Sequence, residues 1–211
     1  LKAYGFPVLE SVLAKSAEES VAAAEKLGYP VAMKIASPDI IHKYDVGGVK
    51  LSLKDPHSVS AAHAAMMESV KKHAPAANIW GVVIQKMLTQ KGVEVIIGMK
   101  RDPQMGPLIM FGLGGIYVEI LKDVTFRIAP IKERGVMRMI KGIKAAKLLE
   151  GFRGVPPSDI NAIADCIERL SQLSLECEAI VELDINPLIV FGKGKGCRVA
   201  DARIALDQRL S

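Results

Sequence analysis

A lysine and a nearby histidine in the first quarter of the chain form a pattern that suits phosphate chemistry. Lys34 interrupts the apolar segment PVAMKIA, and such a lysine is either a solvated surface charge or a phosphate ligand held on a strand. The polar loop that follows contains His42-Lys43-Tyr44 and ends in Gly47-Gly48. Glycines let backbone amides approach an anion closely. The strand lysine and the loop together favour a phosphate-binding role over a plain surface loop.

A second group of polar residues lies near the carboxyl end, in VELDINPLIV. Strand alternation puts Glu182, Asp184 and Asn186 on one face, with apolar residues on the other. Hard oxygen ligands of this kind suit Mg²⁺, which takes few protein ligands and completes its shell with water and phosphate oxygens. Asp201, in the next predicted strand, can approach the same face across a hairpin. At this point both a solvated surface and a magnesium site remain open.

Other polar or glycine-rich stretches are less specific. Glu94, in GVEVIIG, is either an edge charge or a ligand to a metal or a hydroxyl. The stretch FGLGG at 111–115 precedes a predicted strand rather than a helix, which argues against a dinucleotide-binding fingerprint. It is a tight corner, a mobile lid or a turn that contacts phosphate. No G-x-S-x-G motif is present, so Ser/His/Asp catalysis has no support.

Composition narrows the class of protein. A chain of 211 residues that is 50% hydrophobic suits one large domain or two smaller subdomains. The net charge of +5 raises the idea of nucleic-acid binding, but the basic residues are scattered and no aromatic-rich strand accompanies them. Neither a signal peptide nor a membrane-spanning apolar run is recognisable. Three cysteines without a CxxC pair favour a reducing compartment, so we expect a cytoplasmic protein without nucleic-acid or membrane partners.

The secondary-structure pattern predicts how these residues are positioned. A capping box at Ser16–Glu19 and the pair Asp55-Pro56 each predict the start of a helix. Antiparallel hairpins alternate with helices, without a regular βαβ repeat, which predicts an α+β fold with subdomains at 1–86 and 87–211. Further features are also predicted: a hairpin turn at 90–92, a strand at 117–121, helices at 131–149 and 157–174, strands at 179–185, 187–191 and 197–202, and a closing helix at 203–210.

Over essentially its whole length the chain resembles an ATP-grasp nucleotide-binding domain. The specific stretches are GYPVAMKIASPDIIHKYDVGGVKL, EVIIGMKRDPQMGPLIMFGLGGIYVEILKDVTFRIAP, and DINPLIV followed by VADAR. The closer likeness is to the β subunit, or its fused equivalent, of ADP-forming acyl-CoA synthetases. These are acetate–CoA ligases related to succinyl-CoA synthetase. The resemblance implies an α+β ATP-grasp fold with the nucleotide bound between two subdomains.

The resemblance also implies a role for each matching residue. Nucleotide contacts are implied for Lys34, Lys43, Tyr44, Gly47, Gly48, Gln85, Met87, Glu94 and Arg127. Lys34 would contact the ATP phosphates, and Arg127 would help to neutralise them. Gln85 and the backbone near Met87 would form the adenine hinge. Glu94 would hold the ribose or organise the phosphate side.

His42 would carry the chemistry. It matches the histidine of the family's HKSDVGG-like run, a candidate second phosphohistidine between a histidine on a partner subunit and the nucleotide. Tyr44 stands where the family usually has Ser or Thr, which changes the local hydrogen bonding of the loop. Asn186 and Asp201 would ligate Mg²⁺. The coenzyme A-binding part lies outside this chain, so the resemblance implies an α subunit or fused equivalent in a hetero-oligomer.

The activity implied is that of an acid–thiol ligase: acyl-CoA + ADP + phosphate ⇌ carboxylic acid + CoA + ATP, with Mg²⁺. One alternative is a regulatory ATP-grasp module of a fused acyltransferase, and another is a carboxylate–amine ligase of the same fold. The presence of His42 together with Lys34, Asn186 and Asp201 favours the synthetase. An amine ligase would not need a histidine in its phosphate loop.

Overall fold

The chain forms two compact units. The computed structural model describes residues 1–115, 122–151, 154 and 156–207. Contacts group residues 9–89 into one unit (the small unit) and residues 1–8 with 90–211 into the other (the large unit). The first eight residues therefore pack with the large unit, whereas the sequence assigned them to a subdomain 1–86. The division at 86/87 into ATP-grasp subdomains stays a prediction.

The small unit is a four-stranded antiparallel sheet covered on one face by two helices. Its strand order is β1-β4-β2-β3, which makes β4 and β2 the central pair. Alternate residues such as Met33, Ile35 and Ile84 are buried beneath the helices. The elements are β1 (Ser11–Ala14), α1 (Ala17–Leu27), β2 (Val31–Ala36), β3 (Val49–Leu53), α2 (Pro56–His73) and β4 (Gly81–Lys86).

Both helices of the small unit begin where the sequence predicted. The Ser16 hydroxyl accepts a hydrogen bond from the Glu19 amide at 3.2 Å. The Glu19 carboxylate accepts from the Lys15 amide at 2.7 Å, one residue before the partner expected in a capping box. The Asp55 carboxylate accepts from the Ser58 amide at 2.7 Å, and Pro56 occupies the first turn of α2.

The large unit is a six-stranded antiparallel sheet with helices packed on one face. The order is β10-β8-β5-β6-β7, and β9 also pairs with β8. The elements are a 3-10 helix (Lys2–Tyr4), β5 (Val93–Asp102), β6 (Gly106–Leu113), β7 (Val124–Ile128), α3 (Glu133–Gly142), a 3-10 helix (Lys144–Leu148), α4 (Ile160–Glu176), β8 (Ile180–Val190), β9 (Cys197–Val199) and β10 (Ala202–Leu206). The core lies between the sheet and α3 and α4, around residues such as Ile97, Phe111 and Ile140.

Several predicted elements differ in the structure. The prediction of a hairpin turn at 90–92 is wrong, because β4 and β5 belong to different sheets. The closing helix is wrong as well, since residues 202–206 form β10, whose backbone groups pair with β8. The two strands predicted at 179–185 and 187–191 are one continuous strand, β8. The strand predicted at 117–121 lies outside the described residues, and within the described chain no helix is long and apolar enough to cross a membrane.

The helix predicted at 131–149 is divided into α3 and a 3-10 helix. Ile143 between them is extended, with φ −73° and ψ 144°. The buried carboxylate of Asp123 accepts hydrogen bonds from the amides of Lys144 and Ala145, each at 2.8 Å. These amides begin the 3-10 helix and would lack an intrahelical partner without Asp123.

Replacing Asp123 by alanine is expected to lower the free energy of unfolding by about 3 kcal/mol, because it leaves two amides without their charged acceptor in a buried place. The matched control is Asp102→Ala. Asp102 also accepts from two backbone amides at 2.8 Å, but in a surface turn where water can replace it, so a loss of about 1 kcal/mol is expected. Urea unfolding followed by circular dichroism measures both. Equal losses would contradict the importance of burial.

Candidate functional site

Lys34 lies on the face of the small sheet opposite α1 and α2. Its neighbours Met33 and Ile35 are buried beneath the helices, whereas Lys34 is half-buried. In register it lies opposite Val49 of β3 and Val83 of β4. Strand alternation therefore presents the ammonium group on the face away from the helices, as the sequence predicted.

Gln85 shares that face. It pairs with Ala32 of β2, two residues before Lys34 on the same side of the strand. Its side chain is only 8% exposed. A largely buried amide on the face that also carries Lys34 is the type of polar group that orients a bound ligand.

The loop between β2 and β3 is closed by its own backbone hydrogen bonds. The Gly47 amide donates to the Tyr44 carbonyl at 3.0 Å, and the Gly48 amide donates to the Lys43 carbonyl at 2.7 Å. Both glycine amides are thus engaged inside the loop, and the expectation that they face an anion has no geometric support. Their role in the structure is close packing. A Cβ atom on Gly48 would lie 2.5 Å from Ile35 Cγ2, and one on Gly47, where φ is +69°, would lie 2.6 Å from Ser69 Oγ.

The same loop is anchored to α2 and to the segment before β4. The Ser69 hydroxyl of α2 donates to the Val46 carbonyl at 2.9 Å. The Asp39 carboxylate accepts from the Asn78 amide at 2.7 Å, and Ile40 is buried in the core of the small unit. These contacts hold the loop backbone on both sides of its exposed part.

The exposed part carries the predicted chemistry. The side chains of His42 and Tyr44 are exposed, Tyr44 to 72%, and Lys43 is half-buried. The His42 carbonyl accepts from the Asp45 amide at 3.2 Å, which fixes the backbone beside the imidazole. An exposed imidazole on a fixed backbone can meet a reacting group without unfolding of the loop. Because Tyr44 points to solvent, its departure from Ser or Thr changes the outer surface of the loop.

The end of β4 and the residue after it, where the adenine hinge was predicted, are held by main-chain groups of four residues. The Met87 amide donates to the Pro30 carbonyl at 3.1 Å, and Met87 Sδ accepts from the Ser52 amide at 2.9 Å. The Lys86 ammonium donates to the carbonyls of Leu27 and Gly28, each at 2.9 Å. This position is therefore fixed by backbone contacts, which suits a segment that must present main-chain groups in one geometry.

In the large unit, β8 exposes the acidic face that the sequence predicted. Leu183 and Ile185 are at most 1% exposed in the core, and Glu182 and Asp184 alternate with them on the opposite face. Asn186 follows on β8 and is exposed. These positions confirm the predicted alternation over this part of the strand.

A β-bulge interrupts β8 immediately after this face. Val95 of β5 pairs with Leu188, and Ile97 pairs with Ile185, so Asn186 and Pro187 together lie opposite one β5 residue. The β5–β6 ladder is regular over the same residues, which places the extra residue in β8. Sequence reasoning missed this bulge and predicted a break between two strands. The Asn-Pro pair was its signal, because proline is confined to strand edges and bulges.

The bulge lies beside Asp201. The Asn186 amide donates to the Asp201 carbonyl at 3.1 Å, and the next residue, Ala202, pairs with Ile185. One Asp201 carboxylate oxygen accepts from the Ala202 amide at 3.0 Å. The structure thus brings the two predicted metal ligands side by side, as the hairpin required.

The charge on this face is predominantly negative. Burial raises the pKa of Asp184, and the neighbouring carboxylates of Glu182 and Asp201 raise it further, while Arg203 opposes them. The Arg203 guanidinium lies 3.9 Å from the Glu182 carboxylate. The exposed Lys100 of β5 pairs with Glu182 and also lies on this face. The three carboxylates therefore outnumber two basic side chains, which favours an additional cation.

The donors fit Mg²⁺ held jointly with a ligand. Among the residues the structure describes, no group of three or more His, Cys, Asp or Glu side chains is placed to hold a metal ion. Mg²⁺ usually binds through one or two carboxylates plus phosphate oxygens and water, rather than in a cage made only of protein. The adjacent oxygen donors of Asn186 and Asp201 match that requirement.

Glu94 lies on the same face of the large sheet. Glu94 is four residues before Gly98 on β5, so the two residues face the same side of the sheet, and Gly98 pairs with Asp184. The Glu94 carbonyl accepts from the Gly114 amide at 2.8 Å, and a Cβ atom on Gly114 would lie 3.0 Å from Glu94 Cβ. The glycines of FGLGG therefore let the chain cross Glu94 closely, which supports a tight corner. The Glu94 side chain itself is exposed.

Arg127 is not brought to this face. It pairs with Ile109, whose side chain is buried on the side covered by the helices. Its Cδ lies 4.0 Å from the position that a Cβ on Gly135 of α3 would take. Its phosphate role stays a prediction without geometric support.

Arg101 is a positioning residue that the sequence did not reveal. Its guanidinium donates to the carbonyls of Ser174 at 2.6 Å, Ile180 at 3.2 Å and Cys177 at 3.3 Å. It thereby joins β5 to the end of α4 and the start of β8. An arginine near a strand end has no sequence signal that distinguishes such a role from a solvated charge.

Comparison with known proteins identifies the family. Residues 1–206 match the ATP-grasp domain family. The chain is 48% identical over 210 residues to an ADP-forming acetate–CoA ligase I subunit beta of Pyrococcus furiosus, covering 100% of this chain and 87% of the relative. It is 53% identical over 206 residues to a 4-hydroxybutyrate–CoA ligase [ADP-forming] of Nitrosopumilus maritimus, covering 98% of this chain but 29% of that longer relative.

Solved structures agree with these matches. The dinucleotide-forming acetyl-coenzyme A synthetase 1 of Ca. Korarchaeum cryptofilum, in complex with coenzyme A and Ca-AMPCP, matches with a TM-score of 0.93 and 48% identity over 98% of this chain and 89% of that chain. A second structure of that protein holds coenzyme A and Mg-AMPPCP, with its phosphohistidine segment pointing towards the nucleotide-binding site. It matches with a TM-score of 0.83 and 44% identity over 98% of this chain and 88% of that chain. The predicted α+β ATP-grasp fold is confirmed, and the chain belongs to the ATP-grasp domain family, in the group formed by the β subunits and corresponding segments of ADP-forming acetate–CoA ligases.

Proposed function

We propose that this chain is the nucleotide-binding component of an ADP-forming acyl-CoA synthetase, which interconverts acyl-CoA, ADP and phosphate with carboxylic acid, CoA and ATP. The observation that carries the proposal is a loop anchored on both sides that presents an exposed histidine, His42, directly after the strand that carries Lys34. A nucleotide-binding domain without phosphoryl transfer has no need of an exposed nucleophile on a fixed backbone. The similarity to named β subunits supports the same assignment.

In the proposed transfer His42 is the nucleophile. A neutral imidazole nitrogen forms a bond to the terminal phosphorus of ATP as the bond between that phosphorus and ADP breaks, and the reverse step regenerates ATP. The Lys34 ammonium lies on a rigid strand and neutralises charge on the phosphates, which is most of what phosphoryl transfer requires. Mg²⁺, when bound at Asn186 and Asp201, would neutralise further phosphate charge. Lys43, Tyr44, Gln85, Met87 and Glu94 remain proposed nucleotide contacts.

The complete reaction needs a coenzyme A-binding partner. The chain spans 29% of the Nitrosopumilus relative and 87% of the Pyrococcus subunit, so the corresponding segment occurs both inside a longer chain and as a separate subunit. We propose that an α subunit or fused equivalent supplies coenzyme A binding and the phosphohistidine that exchanges its phosphoryl group with His42. Three free thiols suit a reducing compartment, and a cytoplasmic location stays part of the proposal.

With its partner, Mg²⁺ and ATP labelled at the terminal phosphate, the chain is expected to acquire an acid-labile, base-stable label on His42. His42→Ala should lower this label at least about 100-fold, because no other group at the loop replaces the imidazole. His57→Ala, which removes an exposed histidine from α2 of the same unit, is the control and should keep full labelling. A label that persists in His42→Ala, or a labelled partner beside an unlabelled wild-type chain, would contradict the proposed role of His42 as a phosphoryl carrier. Nucleotide binding without any labelling would favour a regulatory module.

Lys34→Ala is expected to weaken ADP and ATP binding about 10- to 100-fold, since a charge-assisted bond to phosphate contributes about 1.5–3 kcal/mol. Calorimetric titration of the chain with either nucleotide measures this directly. Lys26→Ala, at the exposed end of α1, removes an equal charge from the same unit and should leave the affinity unchanged. Equal affinities for wild type and Lys34→Ala would remove Lys34 from the site.

Asn186→Ala and Asp201→Asn are each expected to raise the Mg²⁺ concentration needed for half-maximal nucleotide binding by about tenfold or more, because each removes one oxygen ligand. The readout is nucleotide affinity across a Mg²⁺ titration, which does not require turnover. Glu182→Gln is the matched control, because Glu182 lies on the same face but beside Arg203. If only the Glu182 variant shifts the Mg²⁺ dependence, the ligand assignment is wrong.

A further inference from the structure

Two cysteines of the large unit lie side by side in its core. Cys166 on α4 and Cys197 on β9 are 1% and 3% exposed, and their Sγ atoms are 3.6 Å apart. They are separated by 31 positions in the sequence, so the fold alone brings them together. Neither residue belongs to the acidic face or to the proposed nucleotide contacts.

The thiols differ in environment. Cys166 lies within α4, whereas Cys197 lies two residues after the exposed residues 193–195 of the β8–β9 turn. Gly194 and Gly196 in that turn have φ values of +76° and +75°. The hydrogen bond between the two sulfurs lowers the pKa of Cys197, burial opposes this effect, and the nearby Arg198 charge again lowers the pKa. Local opening of a glycine-rich turn exposes Cys197 more readily than opening of the middle of a helix.

We propose that Cys166 and Cys197 are a paired modification site that a peroxide converts into an intramolecular disulfide. Cys197 attacks one peroxide oxygen, the O–O bond breaks, and the products are a sulfenic acid on Cys197 and water. The Cys166 sulfur then attacks that sulfenic sulfur, forms the S–S bond and releases a second water. Overall two thiols and one hydrogen peroxide give one disulfide and two waters. A thiol reductant returns the disulfide to two thiols by exchange and is itself oxidised to a disulfide.

The required movement is small. The sulfur atoms must approach from 3.6 Å to a bonded distance of about 2.05 Å. The anchoring of the turn favours the pairing, because the Asp159 carboxylate at the start of α4 accepts from the Gly196 amide at 2.8 Å. This bond holds the residue before Cys197 against the helix that carries Cys166.

The third cysteine provides an internal comparison. Cys177, at the end of α4, is half-buried and more accessible than either paired thiol. Its sulfur lies 3.6 Å from the Tyr4 hydroxyl, at a contact without a second thiol. Accessibility alone therefore selects Cys177 for oxidation, whereas proximity selects the Cys166–Cys197 pair.

The disulfide would tie α4 to β9, and β9 pairs with β8 at residues 188–190, next to the bulge. The disulfide would close a loop between two residues that are 31 positions apart, which restricts the unfolded chain. Oxidation is therefore expected to raise the unfolding temperature of the large unit by about 5 °C. Reduction should restore the original temperature.

The test is oxidation of the intact wild-type chain with stoichiometric hydrogen peroxide, followed by alkylation and peptide mapping. The expected product has lost about 2 Da before alkylation, contains one disulfide that links the peptides of Cys166 and Cys197, and carries the alkyl group on Cys177. The same treatment in urea, where the fold no longer selects the pair, should also give linkages to Cys177. A native product linked through Cys177, or one in which Cys166 and Cys197 are both recovered as alkylated thiols, would overturn the proposal.

Variants separate the roles of the two sulfurs. Cys177→Ser should retain the linkage in full. Cys166→Ser should abolish it and leave a sulfenic acid on Cys197 that dimedone traps, provided circular dichroism shows a native helix content. Trapping only at Cys177 in that variant would contradict the order of attack. The wild-type peptide map stands independently if Cys166→Ser fails to fold.

Discussion

The acidic site of the large unit depends on the β-bulge at Asn186 and Pro187. Side chains in a regular strand alternate with a period of two, so burial of Leu183 and Ile185 would ordinarily turn Leu188 and Val190 outward. All four are at most 1% exposed. The bulge resets the alternation, lets both halves of β8 contribute to one core, and leaves Asn186 exposed at the reset position. Loss of the extra residue would bury the acidic face or expose the apolar one.

The small unit meets a different constraint, since it holds an exposed histidine on a backbone that must not move. The loop between β2 and β3 forms hydrogen bonds between its own amides and carbonyls, and Ser69 and Asn78 hold it by hydrogen bonds from neighbouring segments. The glycines at the end of the loop allow the chain to pass Ile35 and Ser69 at distances that a Cβ atom would not permit. Packing and hydrogen bonding therefore replace the anion contacts that a glycine-rich loop suggests. In the proposed function, the positive charge beside the phosphates comes from side chains, chiefly Lys34.

Strand periodicity predicted the faces on which Lys34, Glu182 and Asp184 lie, and the capping residues predicted where α1 and α2 begin, because both signals depend on local sequence. The approach of Asp201 to Asn186 was also predictable, since a short connection between strands limits the possible pairings. Local sequence could not predict that residues 202–206 would form a strand, because pairing with β8 overrides their helix propensity. The same limit applies to the supposed hairpin at 90–92, where neighbouring strands in sequence belong to different sheets. The position of Arg127 depends on which face of the sheet the helices cover, which is decided by tertiary packing.

A crystal structure of the chain with Mn²⁺ and a non-hydrolysable ATP analogue tests the proposed chemistry most directly, because the anomalous signal of Mn²⁺ locates the metal independently of the protein density. The expected result is a metal peak bound by the side chains of Asn186 and Asp201, with the terminal phosphate facing Lys34 and His42. A metal bound at Glu182 and Asp184 instead, or a terminal phosphate remote from the His42 imidazole, would contradict the proposed route of phosphoryl transfer.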